Sequence, residues 1–349
     1  MSAATNRQWR VARYPQPNEL IGSEHFDWAE EPVAEPGADE FLVRTICLAP
    51  GPAQRGYLET RQSGFYGSQI PLGEVMRGRG VGEIVASNHA DYKVGDIFVG
   101  SLGWQDYSVQ RPEPGEFIFS TRVINEPVKP LSLHMGILGQ AGGTAYFGLH
   151  EAGEIKAGDN VLISSAAGGV GSVAGQIARI RGAETVVGLT STAAKCAWLC
   201  DELGYSAAIN YVEEDLDSRL SELFPDGIDV YVDNVGGEIL NTALMHLAMH
   251  ARVALIGFIS TQYSDQVPTG PTNYTQLLFK RARMQASIYF DYWDRYDEAE
   301  RDLTQWYRDG SLVNCETVDD GLEHMPASLA SLFTGGNRGI KICRVGPDP

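Results

Sequence analysis

The residues best placed to do chemistry in this chain are small ones. Ala166, Gly168 and Gly171 stand in Ser164-Ser165-Ala166-Ala167-Gly168-Gly169-Val170-Gly171 as A-x-G-x-x-G. At that spacing small residues let a pyrophosphate approach the backbone, Gly169 and Val170 included. A helix starting there turns unpaired N–H groups and a positive dipole end toward the phosphates. The flanks agree: Val161-Leu162-Ile163 reads as a short strand before the turn, and Val173, Ile177 and Ile180 follow at helical spacing. A glycine-rich turn also serves simply to pack a strand closely on a helix, and the motif alone leaves both uses open.

The next strand narrows the choice. Thr185-Val186-Val187-Gly188-Leu189 ends in Thr190-Ser191, where an NAD-binding protein carries an acid for the ribose 2′-hydroxyl. No acid stands there. Gly188 leaves room, Thr190 and Ser191 offer hydroxyls, and Lys195 lies one turn into the next helix, a set suited to a 2′-phosphate and so to NADP. Lys195 can also be read as a solvated helix lysine, the ordinary place for that residue type.

Around this stretch the rhythm is that of alternating strands and helices from about Lys129 onward, which implies a parallel sheet with right-handed crossovers. The strands are expected near 160–163, 185–189, 207–211, 228–234, 252–259 and 283–290, enough for a six-stranded Rossmann domain over 129–314. Residues 1–128 read as short strands such as 41–48 and 80–86, separated by glycine and proline, as in a compact antiparallel barrel. The tail, 315–349, is strand-like and turn-rich again and is expected to rejoin that first domain. The chemistry belongs in the cleft between domains, beyond the carboxyl ends of the parallel strands.

Composition removes several classes of function. With 349 residues, 43% of them hydrophobic, the chain can bury the cores of two domains. Its formal charge of −18 argues against nucleic acid or an anionic membrane as partner, because both demand a basic face. The five cysteines are odd in number and widely spaced, which suits reduced thiols and a cytoplasmic location. No apolar run reaches the roughly 18 residues that a membrane span needs.

Several strings taken together resemble one family. They are Leu72-Gly73-Glu74-Val75-Met76-Arg77-Gly78-Arg79-Gly80-Val81-Gly82, Gly103-Trp104-Gln105-Asp106-Tyr107, Thr144-Ala145-Tyr146, the glycine turn, Asp233-Asn234-Val235-Gly236-Gly237-Glu238 and Gly336-Asn337-Arg338-Gly339. The chain is similar to the zinc-independent medium-chain dehydrogenase/reductases of the leukotriene B4 12-hydroxydehydrogenase/prostaglandin reductase and curcumin/alkenal double-bond reductase branch. The resemblance implies an α/β architecture, a GroES-like β-barrel beside a Rossmann doubly wound parallel sheet. It also implies NADPH as cofactor, reduction of the carbon–carbon double bond of α,β-unsaturated ketones or aldehydes, and a homodimer. The sixth strand, 283–290, alternates little and would leave an apolar edge open in a monomer, which agrees with pairing.

Carried over residue by residue, the resemblance places Lys195 and Tyr211 at the 2′-phosphate, and Asn234 and Asn337 at the nicotinamide and phosphate regions. Tyr211 can also be read as a strand cap, and both asparagines as turn residues beside glycine. Tyr263 and Tyr66 are the candidates to donate to the oxygen of the enolate that hydride addition creates, an interaction worth roughly 3 to 4 kcal/mol at a developing oxyanion. Either could be an amphipathic rim tyrosine.

A zinc-dependent relative needs Cys, His and carboxylate ligands in sets that are not seen here. Cys47 lies near the place of a first ligand, but Leu72-Gly73-Glu74 replaces Gly-His-Glu. His246 and His250, four apart in what reads as a helix, lack the glutamate of H-E-x-x-H. Ala53 in Gly51-Pro52-Ala53-Gln54-Arg55-Gly56, and Gln140-Ala141 before Gly142, depart from the family pattern where substrate or nicotinamide would lie. Two alternatives therefore stay beside the enone reductase: an NADP-dependent carbonyl or secondary-alcohol oxidoreductase on the same fold, and a non-catalytic NADPH-binding protein.

Overall fold

The computed structural model describes residues 4–59, 68–111, 121–261 and 270–349, so Tyr66 and Tyr263 lie outside the described residues. The chain forms two compact units. One holds the residues up to Gly136 together with Glu316–Gly336 and Lys341–Pro349; the other holds Ile137–Cys315 and Asn337–Ile340.

In the first unit a hairpin pairs β1 (Thr5–Val11) with β2 (Phe26–Pro32). The sheet beside it is centred on β3 (Phe41–Ala49), buried along nearly its whole length. It pairs antiparallel with β4 (Arg79–Ser87) and with β6 (Tyr107–Gln110), while β5 (Ile97–Ser101) joins β4 to β7 (Arg122–Ile124). Register shifts at Leu42/Val43 and Thr45/Cys47 mark bulges, which bend such a sheet and raise its twist. Phe41, Val43, Phe98 and Trp104 fill the core it encloses.

The second unit carries, among the described residues, a parallel sheet of β8 (Asn160–Ile163), β9 (Thr185–Thr190), β10 (Ala207–Asn210), β11 (Ile228–Asp233), β12 (Leu247–Leu255) and β13 (Arg283–Ala286). Its spatial order is β10-β9-β8-β11-β12-β13. Chain direction reverses its march between β8 and β11, the switch point at which α/β sheets bind ligands. Of the helices, α1 (Gln140–Phe147) runs into a π-helical turn, Gly148–Ala152, and α2 (Gly169–Ile180) buries Val173 and Ile177 against the sheet. After β9 comes α3 (Ala193–Asp201), capped by the Thr192 hydroxyl, and then α4 (Leu216–Leu223), α5 (Gly237–Met245), α6 (Thr275–Lys280) and α7 (Tyr296–Arg308).

Three expectations need correction. The tail is not only strands: besides β14 (Glu316–Asp320) and β15 (Ile340–Arg344) it holds α8 (Met325–Phe333), whose Met325 and Leu329 enter the core of the first unit. Pro326 stands in the first helical turn, where its missing N–H costs nothing. The sixth strand ends at Ala286, and the apolar run beyond it turns away into a 3-10 segment with Tyr289 buried. His246 only caps α5, and His250 lies within β12 at φ 64°, so the two do not share a helix face.

Candidate cofactor site

The carboxyl ends of the parallel strands meet at one turn. β8 stops at Ile163, Ser165 takes a left-handed conformation (φ 50°), and Gly168 becomes the N-cap of α2. Gly171 has to be glycine, since a Cβ there would stand 2.4 Å from the Ser165 carbonyl oxygen and 2.6 Å from the Ala166 Cα. The N–H groups of the first turn of α2, from Gly169 through Gly171, have no partners within the helix and lie at its positive end. That is the geometry of a phosphate cradle.

Neighbouring strands are pinned to the turn by backbone and side-chain bonds. The Ala166 N–H donates to Leu189 O (3.0 Å), and the Tyr211 N–H donates to Thr190 O (3.1 Å), so the ends of β9 and β10 stand beside it in sequence. On the other flank the Asn234 N–H donates to Ser164 Oγ (2.9 Å), and Asn234 Nδ2 donates to Ser164 O (2.8 Å). From far along the chain, Gly339 pairs with Gly168 and donates its N–H to Ala167 O (2.8 Å). Asn337, buried, holds that strand's shape by donating Nδ2 to Gly339 O (2.8 Å). Ala166, Gly168, Gly169, Val170, Gly171, Thr190, Ser191, Lys195, Tyr211, Asn234 and Asn337 thus belong to one end of one sheet.

Beyond the turn, the rim changes character. Thr190 is buried, Ser191 and Lys195 are half-buried, and Tyr211 is 39% exposed. Burial first, and then the positive charge of Arg338, pull the Lys195 ammonium below the ordinary lysine pKa. Lys195 and Arg338, from distant parts of the chain, are thus near enough for their charges to interact.

Sequence reading missed several supports. Asp233 is fully buried, and its Oδ1 accepts from Tyr231 OH (2.9 Å), Val235 N–H (3.0 Å) and Gly236 N–H (2.9 Å), which fixes the loop that begins at Asn234. Tyr205, buried behind α2, donates its hydroxyl to Gly171 O (2.6 Å). From the sequence, Gly188 leaves room for a phosphate. Instead, a Cβ there would meet Ala166 Cβ at 2.7 Å, Leu199 Cδ1 at 2.9 Å and Tyr205 Cε1 at 3.0 Å. The missing side chain at 188 makes space for the methyl of Ala166, and this explains how alanine stands where the motif usually has its first glycine.

Among the described residues Cys47 belongs to no group of three or more side chains that could hold a metal ion. Cys47 is buried, and desolvation raises its thiol pKa well above the usual range. Among the described residues the one cluster of potential ligands is Glu19, Glu24 and His25. There Glu19 and Glu24 approach opposite ring nitrogens of His25, each at 3.5 Å, and Arg13 pairs with both carboxylates.

A parallel six-stranded sheet with a glycine turn at its switch point, joined in one chain to an antiparallel β unit, defines a nucleotide-dependent oxidoreductase of the two-domain type. Family models for the N-terminal domain of oxidoreductase and for zinc-binding dehydrogenase match residues 7–117 and 169–305. The NADPH-dependent curcumin reductase of Escherichia coli is 34% identical over 98% of both chains. The NADP(+)-dependent 2-alkenal reductase of Nicotiana tabacum is 35% identical over 88% of both. The crystal structure of CurA from Vibrio vulnificus in complex with NADPH superposes with a TM-score of 0.88 at 33% identity, covering 98% of this chain and all of that one. The chain belongs to the medium-chain dehydrogenase/reductase family, in the branch of the curcumin, alkenal and prostaglandin reductases.

Proposed function

We propose that this protein reduces the carbon–carbon double bond of α,β-unsaturated aldehydes and ketones with NADPH, without zinc. The observation that carries the reading is the gathering of the glycine turn, the asparagines and a cationic rim at one end of the parallel sheet. The named relatives add the reaction class, for a 2-alkenal is an aldehyde with a conjugated double bond. When bound, NADPH supplies the hydride for the β-carbon. The N–H groups from Gly169 to Gly171 hold the pyrophosphate, and Lys195 and Tyr211 hold the 2′-phosphate. Asn234 and Asn337 keep the two flanking loops closed on the turn. Negative charge would then collect on the carbonyl oxygen, where a phenol hydroxyl from Tyr263, or from Tyr66, stabilises it, and a proton from solvent at the α-carbon completes the saturated product.

The test is NADPH consumption with a panel of 2-alkenals, enones, saturated aldehydes and saturated ketones, products identified by mass and NMR. Saturated carbonyl products from the conjugated substrates alone are expected. Alcohol products only, or binding without turnover, would overturn the reading. Within that assay Tyr263→Phe is expected to lower kcat by about 100-fold, the cost of removing one oxyanion donor, with NADPH affinity unchanged. If Tyr66→Phe shows that loss instead, the donor is Tyr66.

The proposed assembly is a homodimer in the cytoplasm. Among the described residues no helix is long and apolar enough to cross a membrane. On α6 and its N-cap, Tyr274, Leu278 and Phe279 are 64%, 75% and 62% exposed, on the element whose helix leads directly into the edge strand β13. Clusters of that kind mark surfaces covered by a partner. A monomeric mass in light scattering would exclude it.

A further inference from the structure

We propose that Arg338 is the second cation of the 2′-phosphate subsite, carried from the far end of the chain to face Lys195 and select a phosphorylated ribose. The proposal rests on the reading of Lys195 given above. Its geometry begins at the bridge between Gly168 and Gly339, where the Gly339 N–H donates to Ala167 O at 2.8 Å. That bond sets residue 338 directly beside the phosphate turn. A second anchor, Ile340 N–H to Cys315 O (2.8 Å), fixes the strand from its other side. Asn337 is buried and Arg338 exposed, so consecutive side chains point to opposite sides of this short extended stretch. The guanidinium is therefore the outward group, on a backbone that the Asn337 amide holds in shape.

Lys195 comes to the same end of the sheet from another part of the chain. Thr192 caps α3, accepting from the Lys195 N–H at 3.3 Å, so Lys195 lies in the first helical turn after β9. β9 is itself tied to the phosphate turn through Ala166 and Leu189. The repulsion that Lys195 feels from Arg338 reports that the two charges are close. Holding two cations together costs free energy, and a phosphate monoester, carrying close to two negative charges at pH 7, offsets that cost for both. In a chain of net charge −18 such a pairing runs against the average surface. The pyrophosphate does not need it, since the helix N-terminus already serves that group, whereas the end of the second strand is where the ribose 2′ position lies.

Isothermal titration of the full-length protein with NADP+, NAD+, 2′,5′-ADP and 5′-AMP tests this without any turnover. Arg338→Ala is expected to weaken NADP+ and 2′,5′-ADP about tenfold, the usual scale for one charge-assisted contact, and to leave NAD+ and 5′-AMP unchanged. Arg338→Lys is expected to retain most of the preference. Equal weakening of NADP+ and NAD+ would overturn the proposal, because Arg338 would then serve the shared pyrophosphate or the fold. No weakening of either would overturn it as well. Lys195→Ala separates the two readings. If it abolishes the NADP+ preference while Arg338→Ala does not, the subsite stands and Arg338 has no part in it. If the wild type binds NADP+ and NAD+ alike, the subsite itself is wrong.

Discussion

The phosphate turn and the cationic rim lie at the same end of one sheet and are built by opposite means. The turn is specified by volume: at Gly171 and at Gly188 a single added carbon would stand within 3 Å of backbone or packed side chains. The rim is specified by charge, with Lys195 half-buried and Tyr211 and Arg338 exposed. The turn should therefore tolerate almost no change of shape, and the rim almost any change that keeps its charge. A phosphate cradle works through backbone N–H groups, whose directions depend on the chain path, while a 2′-phosphate is recognised by side chains that can adjust.

The hardest blow to the turn is Gly171→Val. A branched side chain has nowhere to go between Ser165 O and the Ala166 backbone, and overpacking of this kind costs about 3 kcal/mol or more. For a unit of this size that corresponds to a fall in Tm of roughly 6 to 12 °C. Calorimetry measures the fall, and titration should show NADP+ and NAD+ binding lost together. A variant that keeps its Tm and binds both nucleotides would mean the turn is not specified by volume.

What the sequence revealed divides along the same line. Sterically driven features leave local traces: the spacing of Ala166, Gly168 and Gly171 locates the turn, and runs such as Val161-Leu162-Ile163 locate the strands to within a few residues. Lys195 is also legible, because its position follows directly from the end of β9. Features assembled from distant segments are not. Arg338 reaches the rim through a strand bridge between residues about 170 positions apart, and Tyr205 looks like any aromatic until its hydroxyl is found on Gly171 O. Asp233 stood in plain view in Asp233-Asn234-Val235, yet its bonds to the following N–H groups exist only once the loop has folded back. At Gly188 the sequence points to space but not to its occupant, the Ala166 methyl. The helix at 325–333 is not legible in the turn-rich tail, since a proline such as Pro326 can begin a helix as well as break one.

At the rim the expected effect is smaller and selective. Lys195→Ala should weaken NADP+ about tenfold, the scale of one charge-assisted bond, with NAD+ unaffected. Equal effects on both nucleotides would reduce Lys195 to a surface residue. The pH dependence has a definite sign. The charged ammonium attracts the phosphate and the neutral amine does not, so NADP+ preference falls as pH rises through the lysine's pKa. Burial and Arg338 lower that pKa, so the fall begins at lower pH than for an ordinary lysine. Affinity measured from pH 7 to 10.5 should decline for NADP+ while NAD+ stays flat, and Arg338→Ala should move the decline to higher pH.

The smallest expected effect is the coupling between positions 166 and 188, and it decides what the missing side chain at 188 is for. Gly188→Ala places a methyl 2.7 Å from Ala166 Cβ, 2.9 Å from Leu199 Cδ1 and 3.0 Å from Tyr205 Cε1, a crowding worth about 1 to 3 kcal/mol. Ala166→Gly alone removes one buried methyl and frees the backbone, which also destabilises, by about 1 kcal/mol. Made together, the two changes relieve the shortest of the three contacts and restore the glycine usual at the first position of the motif. The double variant should therefore be more stable than the sum of the singles by about 0.5 to 1 kcal/mol, the low end of the range for residues in contact, because Leu199 and Tyr205 still press on the new methyl. Urea unfolding of the four proteins measures this. Strict additivity, with Gly188→Ala costing NADP+ affinity in place of stability, would return Gly188 to the role of leaving room for the 2′-phosphate and would make position 188 part of the rim.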